Sequence, residues 1–204
     1  MITLPGIDDL KWITQSLATL DLILCREWED RYYSYDSKWA DHEEMASMRN
    51  GCGDDWFILF DGRGFAGIKG LAHESPAARD PNLVGHIRRV LPGELAEFAN
   101  EPAFHWDSTS FCYWRLPGDA VWSEAPEQVS AETGAEEFLG ILANPATGYL
   151  QFASEYYERD LHPSVIDHIL SHRPLTPELI SYLNPGIGMD EIREDLEQVR
   201  YPAR

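Results

Sequence analysis

The chain has 204 residues, 44% hydrophobic and 25% charged, with 16 basic against 35 acidic side chains and a formal net charge of −19. That apolar fraction excludes a disordered chain, and no apolar run reaches the ~18 residues that a membrane-spanning helix needs. The acidic excess runs throughout, 20 against 11 up to residue 119 and 15 against 5 beyond it. No basic arm therefore exists to displace counterions from nucleic acid or to sit on anionic lipid.

A basic protein or a cation is the electrostatically easier partner, and the charge also keeps the chain soluble. The length fits one sizeable core. We read a single domain over 1–204, with a helix and antiparallel sheet in 1–132 and a helical portion in 133–204. The run Met1-Ile2-Thr3-Leu4-Pro5 has neither a basic n-region nor an apolar h-region, so no signal peptide is expected. Cys25, Cys52 and Cys112 are widely spaced and form no C-x-x-C, which fits reduced thiols in a cytoplasm.

The first predicted element is a helix from Asp9 to Cys25. Leu10, Ile13, Leu17, Leu20 and Leu24 recur at three- and four-residue spacing, and Asp8 or Asp9 is placed to cap it. In the stretch 28–48, Arg31 to Tyr35 has strand composition, whereas Asp41 to Met45 reads as a short helical turn. Trp56 to Phe60 is continuously apolar, as suits a central strand covered on both faces. Asp61-Gly62-Arg63-Gly64 is a turn, and Phe65 to Leu71 returns as the partner strand. A helix over Pro92 to Asn100 follows. A second strand pair is expected at Ser110 to Arg115 and Asp119 to Trp122, joined by Leu116-Pro117-Gly118.

Beyond Thr133 the pattern is helical. Candidates are Glu136 to Ala143, Ala146 to Arg159, Pro163 to His172, a helix opened by Thr176-Pro177-Glu178, and Met189 to Arg200. Because β and α units do not alternate, a doubly wound sheet is disfavoured. The expected fold class is α+β: an antiparallel sheet with an N-terminal helix and a C-terminal helical cluster.

Gly62-Arg63-Gly64-Phe65-Ala66-Gly67 matches G-x-G-x-x-G, but no helix pattern begins there to receive a pyrophosphate, so it reads as a hairpin turn. Cys52 stands between two glycines, and the adjacent Asp54 and Asp55 oppose the thiolate that a nucleophile requires. If the hairpin forms, Arg49, Asp54, Asp55, His73 and Glu74 converge beyond its open end. Carboxylates and an imidazole there suit a divalent cation or acid–base work. The plainer alternative pairs Glu74 with Arg49 and packs His73 at a sheet edge. His168 and His172 are four apart and share one helix face, and His172 near a helix end suits a partly charged imidazole. No three ligands share a convincing metal spacing, and no cofactor is expected. Trp106, Tyr113, Trp114 and Trp122 lie close together and suit sheet core or a binding surface, with Trp114 the candidate contact.

Glu43 to Gly51, Ile68 to Pro76, Thr109 to Arg115 and Arg173-Pro174-Leu175 resemble an uncharacterised family of bacterial proteins. The resemblance spans most of the chain and implies a bacterial, cytoplasmic setting, with no activity or catalytic residue attached.

The expectation leans away from an enzyme. It is a protein-binding module presenting an acidic, aromatic-rich surface to a basic partner, with Arg49, Asp54, Asp55, His73, Glu74 and Trp114 as binding candidates. An immunity-protein-like role, neutralising a basic toxin, is one concrete version by charge analogy. The alternative is a small hydrolase or divalent-cation enzyme using Asp54, Asp55, His73 and Glu74.

Overall fold

The computed structural model describes residues 2–129 and 132–203; the Met1 end of the N-terminal run lies outside them. Helix α1 (Ile7–Leu24) is followed by four strands, β1 (Tyr33–Ala40), β2 (Glu43–Arg49), β3 (Asp55–Asp61) and β4 (Ala66–Leu71). Helices α2 (Leu83–Val90) and α3 (Ala96–Asn100) precede β5 (Phe111–Arg115) and the two-residue β6 (Ser123–Glu124). The helices α4 (Pro126–Val129), α5 (Ala135–Ala143), α6 (Pro145–Tyr156), α7 (Pro163–Leu170), α8 (Pro177–Leu183) and α9 (Arg193–Val199) complete the α+β fold. The six strands form one antiparallel meander in sequence order, β1 to β6. Among the described residues no helix is long and apolar enough to cross a membrane.

Strand side chains alternate between the two faces, and this builds two cores. Trp56, Ile58 and Phe60 face a first core shared with α1 and the C-terminal helices. Phe57 and Leu59 face a second, formed with Leu83, Ile87, Leu95, Phe98 and Phe104 from the segment between β4 and β5. The unbroken apolar run of β3 is thus explained by cover on both sides. In β4, glycine is a packing requirement. A Cβ at Gly70 would run into the Phe111 ring, and one at Gly67 would meet Phe98 Cε1 at 2.7 Å.

The expected stripe of α1 lies in or against the first core, but burial extends all round, from Thr14 to Ile23. The helix packs on β1 and also against α5, α7, α8 and α9. The buried residues outside the stripe include polar ones, Gln15, Ser16 and Asp21 among them, that are hydrogen-bonded. Ser16 Oγ donates to the Ile169 carbonyl at 3.1 Å and Gln15 Nε2 to that of Val199 at 3.2 Å. Asp21 is fully buried; it accepts from Tyr149 Oη at 2.6 Å and from the Tyr33 and Tyr32 amides at 2.8 and 2.9 Å. A count of apolar spacing passes over such residues.

Several expectations need correction. Asp8 and Asp9 sit in the first turn, where they favour the helix dipole, while the cap is Gly6. Asp41 and His42 form a hairpin turn, and Glu43 to Met45 belong to β2 instead of a helical turn. Residues 119–122 are not a strand. The Asp119 carboxylate accepts from the Leu116 amide at 2.9 Å and its carbonyl from Arg115 Nε at 3.0 Å, which ties the segment into a wide turn. Helix α2, amphipathic but short, was not anticipated. At the other end, Thr176 caps α8 as expected, its Oγ1 accepting from the Leu179 amide at 3.3 Å.

Candidate binding groove

The segment 77–106 covers the second face of the sheet over β3 to β5. Toward β1 and β2 that cover ends at the partly buried Trp39 and Met45. The uncovered part is a groove of about 530 Å³ that wraps the outer edge of β1 and reaches α1 and α9. Trp28, Trp39, Met45 and Phe57 supply apolar and aromatic lining. Its carboxylates are Asp36, Asp54, Asp55 and Asp195, against the guanidinium groups of Arg31 and Arg49. Arg31 is held by Asp195 at 2.7 Å, and Arg49 lies over the exposed Trp28 ring at 4.4 Å. Trp39 stacks on Phe104, which stacks on Phe57, at centroid distances of 5.6 and 5.0 Å.

Ser34 and Ser47 are direct cross-strand partners on this face. Ser47 is only 3% exposed, and its hydroxyl has no partner among the described residues. The Ser34 hydroxyl, sealed beneath, likewise has none. Nearby, Asp55 accepts through Oδ1 from Lys69 Nζ at 2.8 Å. Lys69 is completely buried, with its ammonium 5.5 Å from the Phe57 ring centre. Burial pushes the Asp55 carboxyl up and the Lys69 ammonium down, and each is opposed by its partner's charge. The desolvation of both ions exceeds their attraction, as is common for buried pairs.

The five residues expected to converge beyond the hairpin are only partly brought together. Asp54 and His73 do meet, Oδ1 to Nδ1 at 2.7 Å, and the His73 amide also donates to Asp54 at 2.8 Å. Asn50 Nδ2 adds a third bond at 2.6 Å. Burial alone would raise the Asp54 carboxyl, but these donors outweigh it and hold it below its ordinary range. Asp55 turns to Lys69 instead, because successive strand residues face opposite sides. Glu74 is 87% exposed, with Oε1 3.9 Å from His73 Nε2. The proposed Glu74–Arg49 pair does not form; Arg49 is directed to Trp28.

Trp114 is buried in the second core with Trp106, whereas Tyr113 and Trp122 pack against the first, so the sheet separates these four aromatics. His168 Nε2 lies 3.0 Å from the Pro174 carbonyl and His172 Nε2 3.0 Å from that of Trp12. Burial pushes the His172 imidazole down, against the charged form suggested by its helix-end position. Among the described residues no group of three His, Cys, Asp or Glu is placed to hold a metal ion. At the glycine-rich turn Asp61 accepts from the Arg63 amide at 2.7 Å and strand β4 follows, with no helix start for a phosphate.

The groove residues Trp28, Asp36, Trp39 and Ser47 escaped the sequence reading. The alternation Tyr33, Tyr35, Ser37 against Ser34, Asp36 was the available signal, since it marks β1 as a strand with one polar face. The chain matches no protein-family model, no curated protein and no solved structure, in keeping with an uncharacterised family.

Proposed function

We propose that the protein is a non-enzymatic binding module that takes a basic protein into the β1–β2 groove. The observation that carries this reading is the half-covered second face of the sheet, where aromatic side chains and an excess of carboxylates line one open groove. Aromatic anchors within a polar surround are the usual energetic centre of a protein interface. The net charge of −19 adds long-range attraction for a basic partner. Neutralisation of a basic toxin is the concrete version that this charge complementarity favours. The three free thiols Cys25, Cys52 and Cys112 support a reducing, cytoplasmic setting.

A hydrolase would rest on the Asp54–His73 pair, whose imidazole is 43% exposed. Against it, Asp55 turns to Lys69, Glu74 reaches His73 only at 3.9 Å from an 87% exposed side chain, and no side-chain hydroxyl or thiol is hydrogen-bonded to His73 among the described residues. The test is a photo-crosslinking residue in place of Trp28, expressed in the source cell, with a second at Tyr182 outside the groove as control. A basic protein captured at position 28 and not at 182 is the expected result. Capture of acidic and basic proteins alike, or equal capture at both positions, would defeat the reading.

A further inference from the structure

Ser47, Asp55 and Trp39 together offer more than general attraction for positive charge. Asp55 Oδ1 is taken by Lys69, and its second oxygen has no hydrogen-bond partner among the described residues. Lys69 is fully buried and fixed by that bond, so the carboxylate is held by a group that cannot follow solvent. Ser47 adds an unpartnered hydroxyl in a side chain that is nearly all buried. Among the described residues the sealed oxygens without a partner are those of Ser34, Ser37 and Tyr157, so Ser47 Oγ and the second Asp55 oxygen stay open to the groove and able to take a ligand's hydrogen bond. Both groups accept hydrogen bonds. Trp39, backed by Phe104, brings an aromatic surface to the same groove.

We infer that the groove is a receptor for an arginine side chain of the basic partner. A guanidinium is planar, carries five N–H donors and stacks on aromatic rings, whereas an ammonium is a strongly hydrated point charge. Only the first can bond the Asp55 carboxylate and the Ser47 hydroxyl while lying against an indole. The groove already holds one such stack of its own, Arg49 over Trp28. This inference rests on the protein-binding reading and adds the chemistry of the anchor.

The test is a titration of the whole 15N-labelled protein with N-acetyl-arginine amide and, in parallel, N-acetyl-lysine amide, each to high millimolar concentration. We expect saturable shifts of the Trp39 indole and Ser47 amide signals, with arginine amide at least about fivefold tighter than lysine amide. Ser47→Ala should weaken arginine amide by about five- to tenfold, the loss of one hydrogen bond of ordinary strength. Asp55→Asn should weaken it further, but it also strips Lys69 of its counterion and can unfold the chain. Ser47→Ala and Trp39→Leu therefore carry the decision. Equal response to the two amides, no response to either, or shifts scattered over surface carboxylates would overturn the inference. So would full arginine-amide affinity in both Ser47→Ala and Trp39→Leu. A partner captured at position 28 without arginine preference would overturn the anchor and leave the protein-binding reading standing. Arginine-amide binding with no captured basic protein would do the reverse.

Discussion

Asp21 offers a measurable link between burial and pH. Its carboxylate is fully buried in the last turn of α1 and accepts hydrogen bonds from Tyr149, Tyr33 and Tyr32. Desolvation outweighs those donors and raises its pKa from the ordinary 3.8 to about 6. The folded chain thus holds a proton over a range in which the unfolded chain has already released it. Stability contributed by the neutral carboxyl is present below about pH 4 and is lost as pH rises through about 6. At ~1.36 kcal/mol per pKa unit the loss is roughly 3 kcal/mol. Asp21→Asn keeps an acceptor for the two backbone amides and a donor for the Tyr149 oxygen, but it cannot titrate. Urea unfolding of both proteins between pH 4 and pH 7.5 should show the wild type losing about 1–1.5 M in midpoint relative to the variant, taking a slope of ~2–3 kcal/mol per molar. Other carboxylates titrate in both proteins and cancel in the difference. Parallel midpoint curves, or a wild type that gains on the variant as pH rises, would refute the reasoning.

Arg49→Ala removes a solvent-exposed stack on Trp28, so chemical denaturation should register a loss under ~1 kcal/mol; a larger loss would mean that Arg49 has a structural partner. Lys69→Met strands Asp55 as a half-buried charge and should cost roughly 3–5 kcal/mol, with most of it restored in Lys69→Met/Asp55→Leu. A double variant no more stable than the single one would contradict that account. His73→Ala deprives Asp54 of one of its donors and should lower stability by about 1 kcal/mol, with no change in a broad hydrolase screen; any activity lost with this variant would revive the catalytic alternative. Gly70→Ala drives a methyl group into Phe111 and should destabilise by several kcal/mol, and calorimetry that finds it neutral would place that packing in error.

What could be read from the sequence follows where hydrophobic signals are strong. Trp56 to Phe60 announces a doubly covered strand because nothing polar interrupts it, and Thr176-Pro177-Glu178 announces a helix start because cap chemistry is local. The β1–β2 hairpin was half missed because Ser34, Asp36, Ser47 and Arg49 break its apolar pattern on one face. Those interruptions are the groove itself, so the element hardest to recognise as a strand pair is the one that carries the candidate site. The Asp54–His73 contact was legible once the hairpin was drawn. The Asp55–Lys69 pair was not, since it depends on the register that sets Phe57 opposite Lys69, two positions along from Asp55 on the same face.

Helix α1 is held by residues made long after it. Gln15 bonds to Val199 across 184 positions, and Ser16 to Ile169 across 153. The meander, by contrast, joins only sequence neighbours, so its hairpins can close as they emerge. At ~5–20 residues per second, a ribosome needs roughly 10–40 s between Gln15 and Val199. Through that interval the Thr14–Ile23 stretch waits beside a half-built sheet with one side bare. Nascent chains of this protein therefore carry a transient sticky helix, and their yield should depend on what shields it until α7 and α9 arrive.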